Sequence, residues 1–227
     1  LIVEGLAEFV QAELSAAADP ALAPRMAAYL KTEMPFYGVQ KSGRTAVWRE
    51  VKRRFPVVDN DSYQRAVVSL WELPHREEKY LAITTARNYR QFITNDNMPL
   101  YRRLIVEGAW WDLVDDVAIN CVGAVLRTER AAARATLEKW IDDEFIWLRR
   151  SSIIAHIKHK EETDEQTLFD HCLRRAHEKE FFIRKAIGWA LRSYARTAPE
   201  AVTAFLLANR SRWSGLTFRE AAKHLDL

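Results

Sequence analysis

Trp111 and Asp115 stand four residues apart in the run Ala109-Trp110-Trp111-Asp112-Leu113-Val114-Asp115-Asp116. On a helix that spacing puts both on one face, one turn apart. The face of an indole attracts positive charge, and a carboxylate beside it neutralises that charge, so the two together form a seat for a cation. A carboxylate in that place also orients or deprotonates a water. Burial habits favour the opposite reading, because adjacent tryptophans in an apolar helix are more often core than site. What decides between them is which other groups the chain brings to the same face.

A second stretch carries complementary groups. Lys185, Trp189, Arg192 and Arg196 follow one another at steps of four, three and four, which on a helix is a single stripe of cation, indole, cation, cation. Arg149, Arg150, Lys158, Arg174 and Arg175 add positive charge in the same half of the chain. Cations at such spacing take phosphates and the indole packs on a sugar or base, as a nucleic-acid groove requires. Any one of them alone reads equally well as a solvated helix face. His156 and His159, near Glu161 and Glu162, are of metal-ligating type, but no second cluster supports a metal; exposed polar residues at a helix end account for them. Cys121 and Cys172 lack a CxxC partner, and neither a phosphate-binding glycine loop nor a serine elbow is present.

The elements that must position these groups are helical. The chain has 227 residues, 48% of them hydrophobic, enough for a sizeable core in one domain spanning residues 1–227. Gly and Pro number seven each and no low-complexity run occurs, which excludes a disordered chain. Lys and Arg total 34 against 31 Asp and Glu, a net +3 that is too mild by itself to imply nucleic-acid binding. Two cysteines in apolar stretches predict buried, reduced thiols. With no bilayer-length apolar run and no secretory leader pattern, a cytoplasmic protein without a membrane partner is expected.

Apolar spacing and stop signals predict helices over 1–17, 22–31, 45–54, 61–70, 76–89, 100–107, 117–126, 128–140, 145–158, 164–177, 181–196, 201–209 and 217–225. Ser42, Asp59 and Pro199 are expected as starts, Gly108 as a stop, and Asp19-Pro20 as the stop of the first helix or the start of the second. β-branched residues never alternate cleanly, so no strand is predicted. The segment 147–155 aligns with 182–190 at an offset of 35 residues, and the same step back brings in Leu113-Val114-Asp115-Asp116. A period of that length in an all-helical chain predicts stacked helix pairs of the HEAT or armadillo kind, an all-α, right-handed α-α superhelix with a concave basic groove. Asp115, Arg150 and Lys185 then hold equivalent places in three successive repeats, and polar residues there make sense if the place faces the groove.

Several longer motifs resemble the bacterial DNA alkylation-repair glycosylases of the AlkD type. They are Ala28-Tyr29-Leu30-Lys31, Phe36-Tyr37-Gly38-Val39-Gln40, Leu70 to Glu77, Trp110 to Asp115, Ile146 to Arg150, and Glu180 to Ala195, in family order and spread over nearly the whole chain. The resemblance implies a HEAT-like solenoid. It also implies hydrolytic release of N3- and N7-alkylated purines, such as N3-methyladenine and N7-methylguanine, from double-stranded DNA in base excision repair. Carried over by motif, the catalytic carboxylate falls on Asp115 and the two sugar-packing indoles on Trp111 and Trp189. Groups near the damaged nucleotide or its backbone fall on Tyr29, Arg150, Phe181, Phe182 and Arg192, and Lys185 reads as a phosphate contact. The clearest departures from the family pattern are 128–134 and 211–215, which bear on DNA-backbone contacts and leave the chemistry untouched.

The implied chemistry is that of a cationic base leaving as a neutral one, which needs no strong general acid, while positive charge develops on the deoxyribose. Two indoles and a carboxylate are suited to that cation, and the carboxylate also positions the attacking water. The resemblance implies a groove that holds sugar and backbone without enclosing the base, unlike enzymes that flip a base into a pocket. No lysine nucleophile stands beside Asp115, so no strand nicking is expected. The expected protein is a monomer without cofactor or metal, with alkylated duplex DNA as its partner. Two rival uses of such a chain are a non-catalytic solenoid that binds damaged or bent DNA and a protein-interaction scaffold.

Overall fold

Capping chemistry sets many of the helix boundaries in the computed structural model, which describes residues 3–227. Among the described residues the chain is helix and turn with no strand. It divides into two compact units, Leu1–Ile93 and Thr94–Leu227.

The first unit holds α1 (Leu6–Ala16), α2 (Ala23–Leu30), α3 (Lys41–Arg54), α4 (Asn60–Trp71) and α5 (Arg76–Asn88). Leu6, Val10 and Leu14, each four residues on, give α1 its buried stripe. Asp59 caps α4 as expected: its carboxylate accepts from Ser62 N at 2.7 Å, and the Ser62 hydroxyl accepts from Asp59 N at 3.1 Å. Ser42, expected to cap α3, instead lies inside it, because the helix already begins at Lys41.

Two of the sequence motifs meet around Glu77. This fully buried carboxylate accepts three backbone N–H groups, from Tyr37 at 3.1 Å, Gly38 at 2.9 Å and Val39 at 3.0 Å. The Tyr37 hydroxyl donates to Glu78 at 2.9 Å, and the Tyr37 ring stacks on His75 at 3.9 Å. Gly38 has φ +87, and a Cβ there would stand 2.1 Å from the Asp19 carbonyl oxygen. Only glycine satisfies both that conformation and that approach.

The second unit holds α6 (Met98–Gly108), α7 (Trp111–Val117), α8 (Gly123–Thr128), α9 (Arg130–Trp140), α10 (Ile146–Ile154), α11 (Glu165–Arg175), α12 (Phe181–Ala195), α13 (Pro199–Ala208) and α14 (Gly215–Ala221). Gly108 is the last residue of α6; the left-handed turn that stops the helix falls on Ala109, at φ 39. A second difference follows directly. The helix expected over 117–126 is a continuation of α7 through a single π turn, Ala118–Val122, into α8. The helix expected over 145–158 stops at Ile154, and the last one stops at Ala221.

The period seen in the sequence reappears as the separation between bonded residues. Arg150 binds Asp115 across 35 residues, the His159 ring meets the Gly123 carbonyl across 36, Ser193 donates to the Ile157 carbonyl across 36, and Arg174 binds Glu138 across 36. Four bonds of the second unit thus join residues one period apart. The apolar core of this unit runs beneath α12, where Ile183, Ile187 and Leu191 pack with Ile153, Leu168 and Val202. Cys121 and Cys172 are both buried and neither forms a disulfide. No helix among the described residues is long and apolar enough to cross a membrane.

His156 and His159 are not exposed at a helix end: they are 3% and 4% exposed and cluster with fully buried His171, with ring centroids 5.7 and 6.2 Å from His156. The side chains turn inward after α10 ends, where the sequence shows only polar residues close together. Burial holds all three imidazoles below the usual histidine value of 6.5.

Two measurements check this account. Gly38→Ala should destabilise the protein by about 2 kcal/mol or more in urea unfolding, since left-handed strain adds to the clash. The unfolded chain takes up protons near pH 6.5 that the buried imidazoles refuse, so stability is complete above that pH and falls below it. The melting temperature should drop as pH is lowered from about 7.5 to about 5.5, the unfolding free energy falling by up to about 1.4 kcal/mol per pH unit for each such imidazole, and His156→Leu should flatten the slope.

Candidate functional site

A buried ion pair lies at the centre of the site. Asp115, on the second turn of α7, accepts from Arg150 Nε at 2.8 Å on one carboxylate oxygen and from Arg150 Nη2 at 2.7 Å on the other. The Arg150 side chain, mid-way along α10, is 5% exposed and that of Asp115 is 15% exposed. The remaining arm, Nη1, donates to the Phe182 carbonyl oxygen at 2.6 Å, at the N-terminus of α12. One guanidinium thus ties α7, α10 and α12 together with a fork geometry that lysine cannot reproduce.

Aromatic rings wall this pair. The Phe182 ring lies 5.7 Å from the guanidinium, 4.9 Å from Trp147 and 5.4 Å from Trp110. Trp110 and Trp147 meet edge to face at 5.9 Å, and Phe181 meets Phe182 at 5.4 Å. Burial is the largest influence on Asp115, pushing its carboxyl above the usual aspartate range while the Arg150 hydrogen bond opposes it. Its neighbours Asp112 and Asp116 push the same way as burial. A carboxylate perturbed in this manner is a candidate for chemistry.

Trp111 opens α7, one turn before Asp115, and is partly buried. Trp189 stands two turns beyond Phe182 on α12, half-sunk into the apolar core beneath that helix. Lys185 and Arg192, one turn to either side of Trp189, both pair with Glu220 of α14, at 2.9 and 2.8 Å. Phe181 is 57% exposed at the start of α12. Tyr29, on α2 of the first unit, is 76% exposed. Arg150 is therefore in direct contact with both Asp115 and Phe182. Arg150 has its charge turned inward on Asp115 and not outward to solvent.

Sequence reasoning missed Trp110, Trp147 and Glu220 as parts of this neighbourhood. The offset of 35 residues held the clue to two of them. It pairs Trp147 with Phe182, whose rings touch, and one more step from Lys185 lands on Glu220.

A family model for DNA alkylation repair enzymes matches residues 10–225. The chain belongs to the DNA alkylation repair enzyme family. A solved structure of a predicted DNA alkylation repair enzyme from Enterococcus faecalis is similar to it with a TM-score of 0.84 and 25% sequence identity, over 92% of this chain and 97% of that one. No curated protein matches. Membership assigns this chain a role in alkylation repair and makes DNA its partner.

Replacing Arg150 tests the pair. Arg150→Ala leaves Asp115 buried without its counter-charge and should cost about 3–5 kcal/mol in denaturant unfolding. Arg150→Lys, which keeps the charge and loses the fork, should fall between the alanine variant and the wild type.

Proposed function

We propose that this chain is a monofunctional DNA glycosylase that hydrolyses the N-glycosidic bond of cationic alkylated purines, N3-methyladenine and N7-methylguanine among them, in duplex DNA. The observation that carries the reading is the Asp115 carboxylate, desolvated and held by both oxygens on Arg150, one helical turn from Trp111. A carboxylate fixed in this way is already oriented for a positive charge that develops nearby, so little reorganisation accompanies the reaction.

The alkylated purine already carries the positive charge and departs neutral, so no group is needed to protonate it. As the bond to C1′ stretches, charge passes to the deoxyribose, and Asp115 stabilises it and aligns the attacking water. Trp111 and Trp189 pack their indole faces against the sugar. Arg150 acts through Asp115, fixing its orientation and keeping it ionised against the pull of burial. Lys185 and Arg192 take backbone phosphates, and Phe181 and Phe182 pack around the damaged nucleotide. The base itself stays outside any enclosing pocket, so bulk on the purine is tolerated.

Release of free 7-methylguanine from methylated duplex DNA tests the activity. Asp115→Asn should lower the release rate by about 10²–10³-fold or more while duplex affinity stays within about threefold of wild type. Full activity in that variant overturns the mechanism. Because the Asp115 carboxyl is raised and must be ionised to act, activity should fall on acidification above the pH at which an ordinary aspartate titrates.

A further inference from the structure

On α12, Lys185, Trp189 and Arg192 share one face, at steps of four and three. Glu220 answers both cations with separate oxygens: Oε1 stands 2.9 Å from Lys185 Nζ, and Oε2 accepts from Arg192 Nη1 at 2.8 Å. A single carboxylate therefore bridges the two cations that flank Trp189 along α12. Backbone packing sets its place. At Gly188 the two helices cross so closely that a Cβ would stand 2.4 Å from Glu220 Cβ and 3.1 Å from the Thr217 carbonyl oxygen. Thr217 also donates to the Arg184 carbonyl oxygen at 3.3 Å.

The bridge is nevertheless easy to open. Its side chains keep 37% exposure at Lys185, 23% at Glu220 and 22% at Arg192. Ion pairs with that much water access contribute little to stability. Two oxygens sharing one negative charge, each on a different cation, is also the arrangement a phosphodiester offers.

We propose that Glu220 is an intramolecular stand-in for a DNA phosphate. It holds Lys185 and Arg192 aligned on either side of Trp189 in the free protein and yields them to a backbone phosphate on binding, which lowers affinity for undamaged duplex. The inference rests on the reading of Lys185 and Arg192 as phosphate contacts under Proposed function. Its physical content is a displaced charge: each bound complex carries one uncompensated carboxylate beside the backbone. Specificity is a difference of affinities, and a built-in competitor depresses the sequence-independent, electrostatic part.

The test is fluorescence anisotropy of an unmodified duplex titrated with full-length protein at several salt concentrations. Glu220→Gln keeps the Cβ that packs at Gly188 and the side-chain length, so the crossing of the helices is preserved. It should bind about three- to tenfold more tightly at low salt, with a salt slope steeper by about 0.9, the value for one added effective charge. In the double background Lys185→Ala, Arg192→Ala the same substitution should give no gain. An unchanged or weaker affinity with an unchanged slope overturns the proposal and makes Glu220 a brace for α14. A gain that persists in the double background also overturns it, as a general charge effect. If wild type itself shows no salt-dependent duplex binding, the DNA reading under Proposed function falls, and this inference falls with it.

Discussion

The bidentate pair between Asp115 and Arg150 is the constraint on which the second unit's chemistry depends. Taking both charges out of water costs more than most single contacts return, and buried pairs are often no better for stability than well-packed apolar side chains. This one is not explained by stability alone. Its three hydrogen bonds use all three guanidinium nitrogens, two on Asp115 and one on the Phe182 carbonyl. What it secures is a carboxylate with fixed direction and little water around it.

That constraint orders the neighbouring elements. α10 packs on both α7 and α12, so the helix that carries Arg150 is also the one that sets the distance between the Asp115 helix and the Trp189 helix. Phe182 takes part twice, through its carbonyl on Arg150 and through its ring on Trp110 and Trp147. Beyond it on α12, the partner changes from Arg150, which donates to the Phe182 carbonyl, to Glu220, which pairs with Lys185 and Arg192. The same helix thus has a charge-assisted hydrogen bond to a buried guanidinium at its N-terminus and a partly solvent-exposed ion pair further along. The first suits positioning, and the second suits exchange with a ligand.

The repeat period was the most informative property of the sequence. It placed Asp115 in register with Arg150, two residues that bond directly. Strong local chemistry was legible for the same reason: the Asp59 cap lies in its expected place because it needs only its own neighbours. Features settled by distant packing were not. Trp110 and Trp111 are adjacent in the same motif, yet Trp110 is the one whose ring meets Trp147 and Phe182, and nothing in a dipeptide separates the two. His156 and His159 read as polar surface, because the turn that sends them inward beside His171 depends on where α10 ends. Gly108 resembled a helix stop, but the left-handed position fell to Ala109, one residue later.

The π turn at Ala118–Val122 has an outcome for how this family of chains is compared. One surplus residue in a helical turn rotates everything after it by about 100° relative to a regular ladder. The ridge that bears Asp115 and the ridge that bears Gly123, whose carbonyl faces His159, are therefore out of phase although they belong to one rod. A relative that lacks the surplus residue would align with a one-position gap there. Such a gap would leave the upstream face in register and swing the downstream side chains a quarter of the way around the axis.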